Sequence, residues 1–247
     1  MSGNDFTQLP KINEIAYSMV VYFSRTGYTF TIFDSKNNKI LTKSTQEIIY
    51  TASQEEIVKL ISSDHEIQTG CNKTTLVFDT ENYTVVPSQL FRPDDAPAYL
   101  SFQDVGLKKQ TVLYSEITGK DMVMIYSIPS NLYHAVAQLF PAGEFTNKLS
   151  YLINNNISIN IFDNVYEFVH PKHVDVVVVR NGNIELVNTF AYHTMEDFIY
   201  YTLNIYDKLH LDINQFKLSV FTAKNQIGLH KEVKKYIRNT EEFSFTE

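Results

Sequence analysis

Three strand-like runs in close succession, and then three more, restrict the fold of this chain more than any other feature of its sequence. Met19-Val-Val-Tyr-Phe-Ser24, Tyr28-Thr-Phe-Thr-Ile-Phe33 and Lys39-Ile-Leu-Thr42 are rich in β-branched and aromatic residues, and only Arg25-Thr26-Gly27 and Asp34-Ser-Lys-Asn-Asn38 part them. Connections this short join antiparallel neighbours, so the spacing predicts a three-stranded meander. The second set is Tyr166–Val169, Val174–Val179 and Ile184–Phe190, divided by His170-Pro-Lys-His173 and Arg180-Asn-Gly-Asn183.

The segments downstream of the two meanders also match. Ser53 with Glu56 forms a capping-box pattern ahead of Ile57, Leu60 and Ile61, and Thr74–Phe78 is a short apolar strand. Tyr83–Val86 reads as strand or turn, and the proline-rich stretch after Pro87 as broken helix. Val112–Ile117 and Met122–Ile128 read as strands around Thr118-Gly-Lys120, and Pro129 as the first turn of a helix carrying Leu132, Ala135, Val136 and Leu139. In the second half a helix over 147–153 and the Asn154-Asn-Asn156 loop precede the meander. Thr194 then caps a helix with Met195, Phe198, Ile199, Leu203 and Tyr206 on one face, Phe216–Phe221 is a strand, and His230–Ile237 closes as helix. Meander, helix, strand and helix, twice, predict two related α/β lobes: an arm over 1–16, lobe one over 17–140 and lobe two over 141–247. Arg25-Thr-Gly-Tyr28 and Arg180-Asn-Gly-Asn183 look alike, but they fall in the first turn of one meander and the second of the other, so each reads simply as a glycine hairpin.

Composition narrows the function classes. The 247 residues carry 21 Lys+Arg against 28 Asp+Glu, a net charge of −7, and the longest basic block is Lys231-Glu-Val-Lys-Lys235, which argues against a dedicated nucleic-acid binder. Cys71 is the sole cysteine, so neither a disulfide framework nor a four-thiolate metal site can form within the chain. There is no long apolar run, and the first residues, with Asn4, Asp5 and Pro10, lack the pattern of a signal peptide; a cytoplasmic protein without a membrane segment is expected. P-loop, G-x-G-x-x-G and G-x-S-x-G patterns are absent, and nothing around Cys71 marks it as a nucleophile.

The stretch Leu186-Val-Asn-Thr-Phe190, Ala191–Leu203 and Leu211–Phe221 resembles the uncharacterised DUF3822 family, found mainly in Bacteroidetes. Its members share an Asn-x-Phe strand end and a helix carrying Glu/Asp-Asp-Phe-x-Tyr-Tyr; here Asn188, Phe190, Asp197, Phe198, Tyr200 and Tyr201 stand at those places, and Ala98–Phe102 and Phe140-Pro-Ala142 also look like family positions. The resemblance implies a two-lobed actin-like ATPase (ribonuclease H-like) fold, each lobe a mixed sheet that starts with a three-stranded antiparallel meander and is flanked by helices.

In active proteins of that superfamily the first hairpin turn of each lobe carries an Asp and glycines for Mg²⁺ and phosphates, and a glycine-rich turn late in lobe two carries adenosine. The chemistry demands carboxylates for the cation and glycine for close backbone approach. Here the first turn, Ser24-Arg-Thr-Gly-Tyr28, has no acid, the second, His170-Pro-Lys-His173, has no glycine and loses a donor at Pro171, and the late turn is Thr222-Ala-Lys-Asn225. Should an anion bind at two facing turns, Arg25, Thr26, Gly27, Lys172, His173 and Thr222 are the candidate residues.

His170, His173 and Asp175 can be drawn as metal ligands, yet a turn and a strand start impose no fixed geometry, so no metal is expected. Asp197 reads as a cap, and Tyr200 and Tyr201 as rings buried against the sheet, so the family motif reads as structural and no catalytic residue is assigned. The expectation is a non-catalytic interaction or scaffold protein without cofactor, recognising an unidentified protein partner or a second copy of itself. Its 16 Tyr and 17 Phe supply both core and adhesive surface. The alternatives are a nucleotide- or anion-binding switch taking ATP and Mg²⁺ in an atypical cleft and, from the resemblance alone, an accessory factor in RNA or ribosome maturation.

Overall fold

Both meanders form, the first with alternating burial and the second with its first two strands buried on both faces. In β1 (Ser18–Ser24) Met19, Val21 and Phe23 are buried, and in β2 (Gly27–Phe33) Tyr28, Phe30 and Ile32 are buried, with the residues between them half-buried on the opposite face. β3 (Lys39–Thr45) completes the antiparallel set after a turn in which Asp34 Oδ1 accepts from the Lys36 and Asn38 N–H groups at 2.8 Å each. The computed structural model describes residues 17–47, 49–68, 70–101, 109–156, 163–222 and 229–244. The expected arm over 1–16, Phe102 of the family positions and 223–225 of the late turn lie outside them.

The chain divides into two units, Met1–Ile117 with Asp121–Ile153, and Thr118–Lys120 with Asn154–Glu247. In the first, α1 (Gln54–Ser62) starts at a complete capping box: Ser53 N–H donates to Glu56 Oε2 at 2.8 Å and Glu56 N–H to Ser53 Oγ at 3.3 Å. β4 (Lys73–Phe78) then runs parallel to β1. An insertion comes next: β5 (Tyr83–Pro87), two three-residue 3₁₀ turns, α2 (Ala96–Ser101), β6 (Gln110–Ile117) and β7 (Met122–Pro129). Its strands form a separate antiparallel sheet, ordered β5-β7-β6, with α2 packed on Val123 and Ile125. The broken-helix reading thus holds from 88 to 101, and 83–86 is strand. α3 (Ser130–Leu139) begins after Pro129, which is the N-cap rather than the first helical residue, and packs against α1. β8 (Glu144–Asn147) returns parallel to β4 and makes the main sheet β3-β2-β1-β4-β8, and α4 (Lys148–Asn156) leads out.

The second unit repeats this order. β9 (Asn164–Val169), β10 (His173–Arg180) and β11 (Asn183–Ala191) form the meander. α5 (Met195–Lys208) starts at its own capping box, Asp197 N–H donating to Thr194 Oγ1 at 3.1 Å and Thr194 N–H to Asp197 Oδ2 at 3.0 Å. β12 (Lys217–Thr222) pairs parallel with β9, then come α6 (Leu229–Val233) and β13 (Thr240–Ser244), giving β11-β10-β9-β12-β13. The core lies between α5 and one face of the sheet, where Val165, Val176, Leu218 and Val220 meet Phe198, Ile205 and Tyr206. Burying a ring such as Phe198 completely contributes about 2 to 3 kcal/mol.

Four expectations are corrected. β8 and β13, the fifth strand of each sheet, have no counterpart in the sequence reading. Pairing of β8 with β4 places 141–153 in the first unit, so the division falls after Ile153 and not after 140. The asparagine run expected as loop is the last turn of α4. The closing helix is shorter than 230–237 because the chain turns to reach β13. Among the described residues no helix is long and apolar enough to cross a membrane.

Candidate functional site

The turn between β1 and β2 explains itself by local packing. Ser24 Oγ lies 3.2 Å from Thr26 Oγ1, accepts from the Thr26 N–H at 3.3 Å and donates to the Gly27 carbonyl at 3.2 Å. Gly27 has φ of +145°, and a Cβ there would stand 1.9 Å from the Thr45 carbonyl oxygen. Glycine is therefore required here by the packing of the neighbouring strand β3. Arg25 is exposed and faces Glu81 across 3.9 Å.

Behind this turn, at the carboxyl ends of the parallel strands, lies a group that sequence reasoning missed. Lys148 is buried with its Nζ 2.9 Å from Asp79 Oδ1, and the Tyr50 hydroxyl donates to the Asp79 carbonyl at 2.8 Å. Burial pushes the Tyr50 phenol well above its ordinary value. An acidic residue directly after the apolar run Thr74–Phe78 was the available signal. Its buried lysine partner, some 70 residues on, gave none.

In the second unit the equivalent turn is more deeply set. His170 and Asp175 are buried, His173 is partly exposed and Lys172 is exposed. His170 Nε2 is 3.0 Å from Asp175 Oδ2, His173 Nε2 is 3.9 Å from the same oxygen, and the two imidazoles lie 4.5 Å apart at 21°. The Thr189 hydroxyl donates to Asp175 Oδ1 at 2.6 Å. Backbone bonds fix the turn: His170 N–H donates to the His173 carbonyl at 2.9 Å and Tyr192 N–H to the Lys172 carbonyl at 3.0 Å. The Tyr192 hydroxyl also donates to the His170 carbonyl at 2.5 Å. A turn and a strand start alone give these three residues no fixed geometry; the antiparallel register supplies one by setting Asp175 opposite Thr189 and beside the turn.

Thr222 pairs with Val169, immediately before His170, so Lys172, His173 and Thr222 gather at one end of this sheet. The Thr222 hydroxyl is buried and donates to Glu242 Oε1 at 3.2 Å. Arg25, Thr26 and Gly27 share the first unit's turn.

The family-motif residues divide by their place on α5 and β11. Phe198 is fully buried, and Asp197 accepts from the His193 and Thr194 N–H groups at 3.0 Å each, bonds that hold its carboxyl below the ordinary value. Asn188 is exposed, its Oδ1 accepting from the Thr189 N–H at 2.9 Å. Phe190 stacks on Tyr201 with centroids 4.9 Å apart, and Tyr200 meets Tyr201 edge-on at 5.5 Å while remaining 62% exposed. The expectation that both tyrosines bury against the sheet fails for Tyr200, because adjacent residues diverge by about 100° around a helix.

Two further features stand apart from these ends. Glu167 lies at the centre of β9 between Val176 and Val220, completely buried, with Oε1 accepting from the Thr202 hydroxyl at 2.8 Å and Oε2 without a hydrogen-bond partner among the described residues. Burial pushes its carboxyl up to about 7. In the first unit Phe140, Pro141 and Ala142 line a cavity of about 490 Å³ together with Met19, Cys71 and Gly143, and burial raises the Cys71 thiol.

The chain is similar to a protein from Bacteroides thetaiotaomicron VPI-5482 with actin-like ATPase fold and unknown function, seen in a crystal structure: TM-score 0.75, 19% identity, 92% of this chain and 90% of that one. It is also similar to a chain of the PilM–PilN type IV pilus biogenesis complex, with TM-score 0.54, 10% identity, and 92% and 88% coverage. No curated protein matches the sequence. The likeness to the Bacteroides thetaiotaomicron protein runs over nine-tenths of both chains, and the family model for DUF3822, a protein of unknown function, matches residues 7–240: the chain has an actin-like ATPase fold and belongs to the DUF3822 family.

Proposed function

We propose that this chain is a non-catalytic protein that works by binding another protein, with the aromatic ladder Phe190–Tyr201–Tyr200 as its contact. The observation that carries this reading is Tyr200, a large ring left 62% exposed on a helix whose next residue is already stacked on the sheet edge. Exposed, partly ordered tyrosine is the residue type that anchors protein interfaces, since it offers apolar area and a polar tip at small entropic cost. The internal engagement of groups a nucleotide would need supports the same reading: Lys148 is held by Asp79, Thr222 by Glu242, and Gly27 serves the packing of β3. Partner binding is within the range of the fold, since a chain of similar structure occurs in the PilM–PilN complex.

The test replaces Tyr200 with a photo-crosslinking phenylalanine analogue in cells, with the exposed turn residue Lys36 as control position. A discrete adduct at 200 and none at 36 is expected, and its mass separates a second copy of the chain from a different protein. No adduct above the control overturns the reading. Thermal unfolding with ATP, ADP and Mg²⁺ runs beside it: a ligand at ~100 times its Kd adds about 2.7 kcal/mol. Such a shift, abolished by Arg25→Glu or Lys172→Glu, would instead make the protein a nucleotide switch.

A further inference from the structure

The turn between β9 and β10 places two imidazoles and a carboxylate where one ion can reach all three. One ligand atom each from His170, His173 and Asp175 lies within 4.8 Å of the other two. With bonds of 2.0–2.2 Å, tetrahedral donors sit about 3.4 Å apart. The separations from Asp175 Oδ2, 3.0 Å to His170 Nε2 and 3.9 Å to His173 Nε2, fall on either side of that. The rings now stack at 21°, so binding requires one of them to turn its nitrogen inward. His173, with 21% of its side chain exposed against 4% for His170, is the less confined of the two rings and the one that can make that rotation.

The surroundings are those of a built site. Asp175 is oriented through its second oxygen by the Thr189 hydroxyl, and the turn backbone is held by Tyr192 through both its N–H and its hydroxyl. Outer partners of this kind fix first-contact ligands in metal centres. Two imidazoles and one carboxylate suit Zn²⁺ and its neighbours, whereas Mg²⁺ prefers six oxygen donors. We propose that His170, His173 and Asp175 form a zinc-class divalent metal site, with a fourth position that faces the exposed side of His173 and takes water or a donor atom from a ligand.

The test is calorimetric titration of chelator-treated full-length protein with Zn²⁺ alone, repeated with Co²⁺ and read by visible absorption, with Mg²⁺ as a third arm. Uptake of one ion per chain with the absorption of four- or five-coordinate Co²⁺ is expected. His173→Gln, a change at a partly exposed turn residue that leaves the fold intact by circular dichroism, weakens Zn²⁺ at least tenfold. Thr189→Val weakens it about tenfold without changing stoichiometry. Absence of saturable Zn²⁺ uptake overturns the proposal. So does uptake of equal affinity in His173→Gln, which places the ion on other surface residues, and so does a response to Mg²⁺ alone, which assigns a different chemistry.

Discussion

The strand registers allow the two units to be laid over one another residue by residue. Ser24, Gly27, Thr29 and Ser44 of the first unit occupy the places of His170, His173, Asp175 and Thr189 in the second. At the first end a pair of hydroxyls, Thr29 Oγ1 and Ser44 Oγ 2.9 Å apart, stands where the other end has a carboxylate receiving a threonine proton. Val21 likewise takes the place of Glu167 in the central strand. One backbone plan thus carries hydroxyls at these register positions in one unit and ionisable groups in the other, while the first unit keeps its charges on Asp79 and Lys148 at the ends of β4 and β8. The same strand order and register form with alternating burial in one unit and with strands buried on both faces in the other; charge can be written into either copy provided a partner meets it.

Breaking the backbone at the first turn should have the largest effect. Gly27→Ala forces a Cβ to 1.9 Å from the Thr45 carbonyl at φ of +145° and should cost on the order of 3 kcal/mol or more in denaturant unfolding. Gly182→Ala, in the other unit at φ of +77° with open space around it, should cost only about 1 kcal/mol.

The central strands should separate by pH. Glu167 titrates near 7 in the folded chain against an ordinary 4.5, so the native state retains a proton that the unfolded state releases. The associated stability is complete below the lower value and is lost as pH rises through about 7, on the order of 3 kcal/mol in all. Glu167→Gln should remove this slope in melts taken from pH 5 to about 8. An unchanged slope would place the titration elsewhere.

The two capping boxes should respond alike. Ser53→Ala and Thr194→Ala should each lower stability by about 1 kcal/mol and add in the double variant, because the caps share no partners. Smallest of all, Arg25→Ala should change stability by less than about 0.5 kcal/mol, since its pairing with Glu81 is long and solvated.

Much of this plan was legible in the sequence because the signals were local. Both meanders, both caps and the apolar face of α5 are set by residues within a turn or two of one another. The fifth strands were not. Glu144-Phe-Thr-Asn147 is four residues long, and Thr240-Glu-Glu-Phe-Ser244 is mostly polar, so neither shows a period that marks it as β; each exists because a parallel neighbour distant in sequence supplies its bonds. The histidine site was half legible. Residue types and spacing were visible, but Thr189 and Tyr192, which hold Asp175 and the turn, enter only through the register of β11. Glu167 did not stand out inside the strand 166–169, because its partner Thr202 lies on α5, 35 residues on.

The inserted sheet gives the two halves different routes to completion. Thr75 must find Glu144 across about 70 residues, whereas Leu218 finds Thr240 across about 20, a difference in loop-closure entropy of about 1 kcal/mol if the intervening chain is loose. The β5-β7-β6 sheet offsets that handicap when it forms first, because its pairing of Tyr83 with Tyr126 draws the ends of the insertion together. A lesion at the Val123–Ile125 packing with α2, outside the main sheet, should then retard refolding of the first half in stopped-flow measurements while sparing the second.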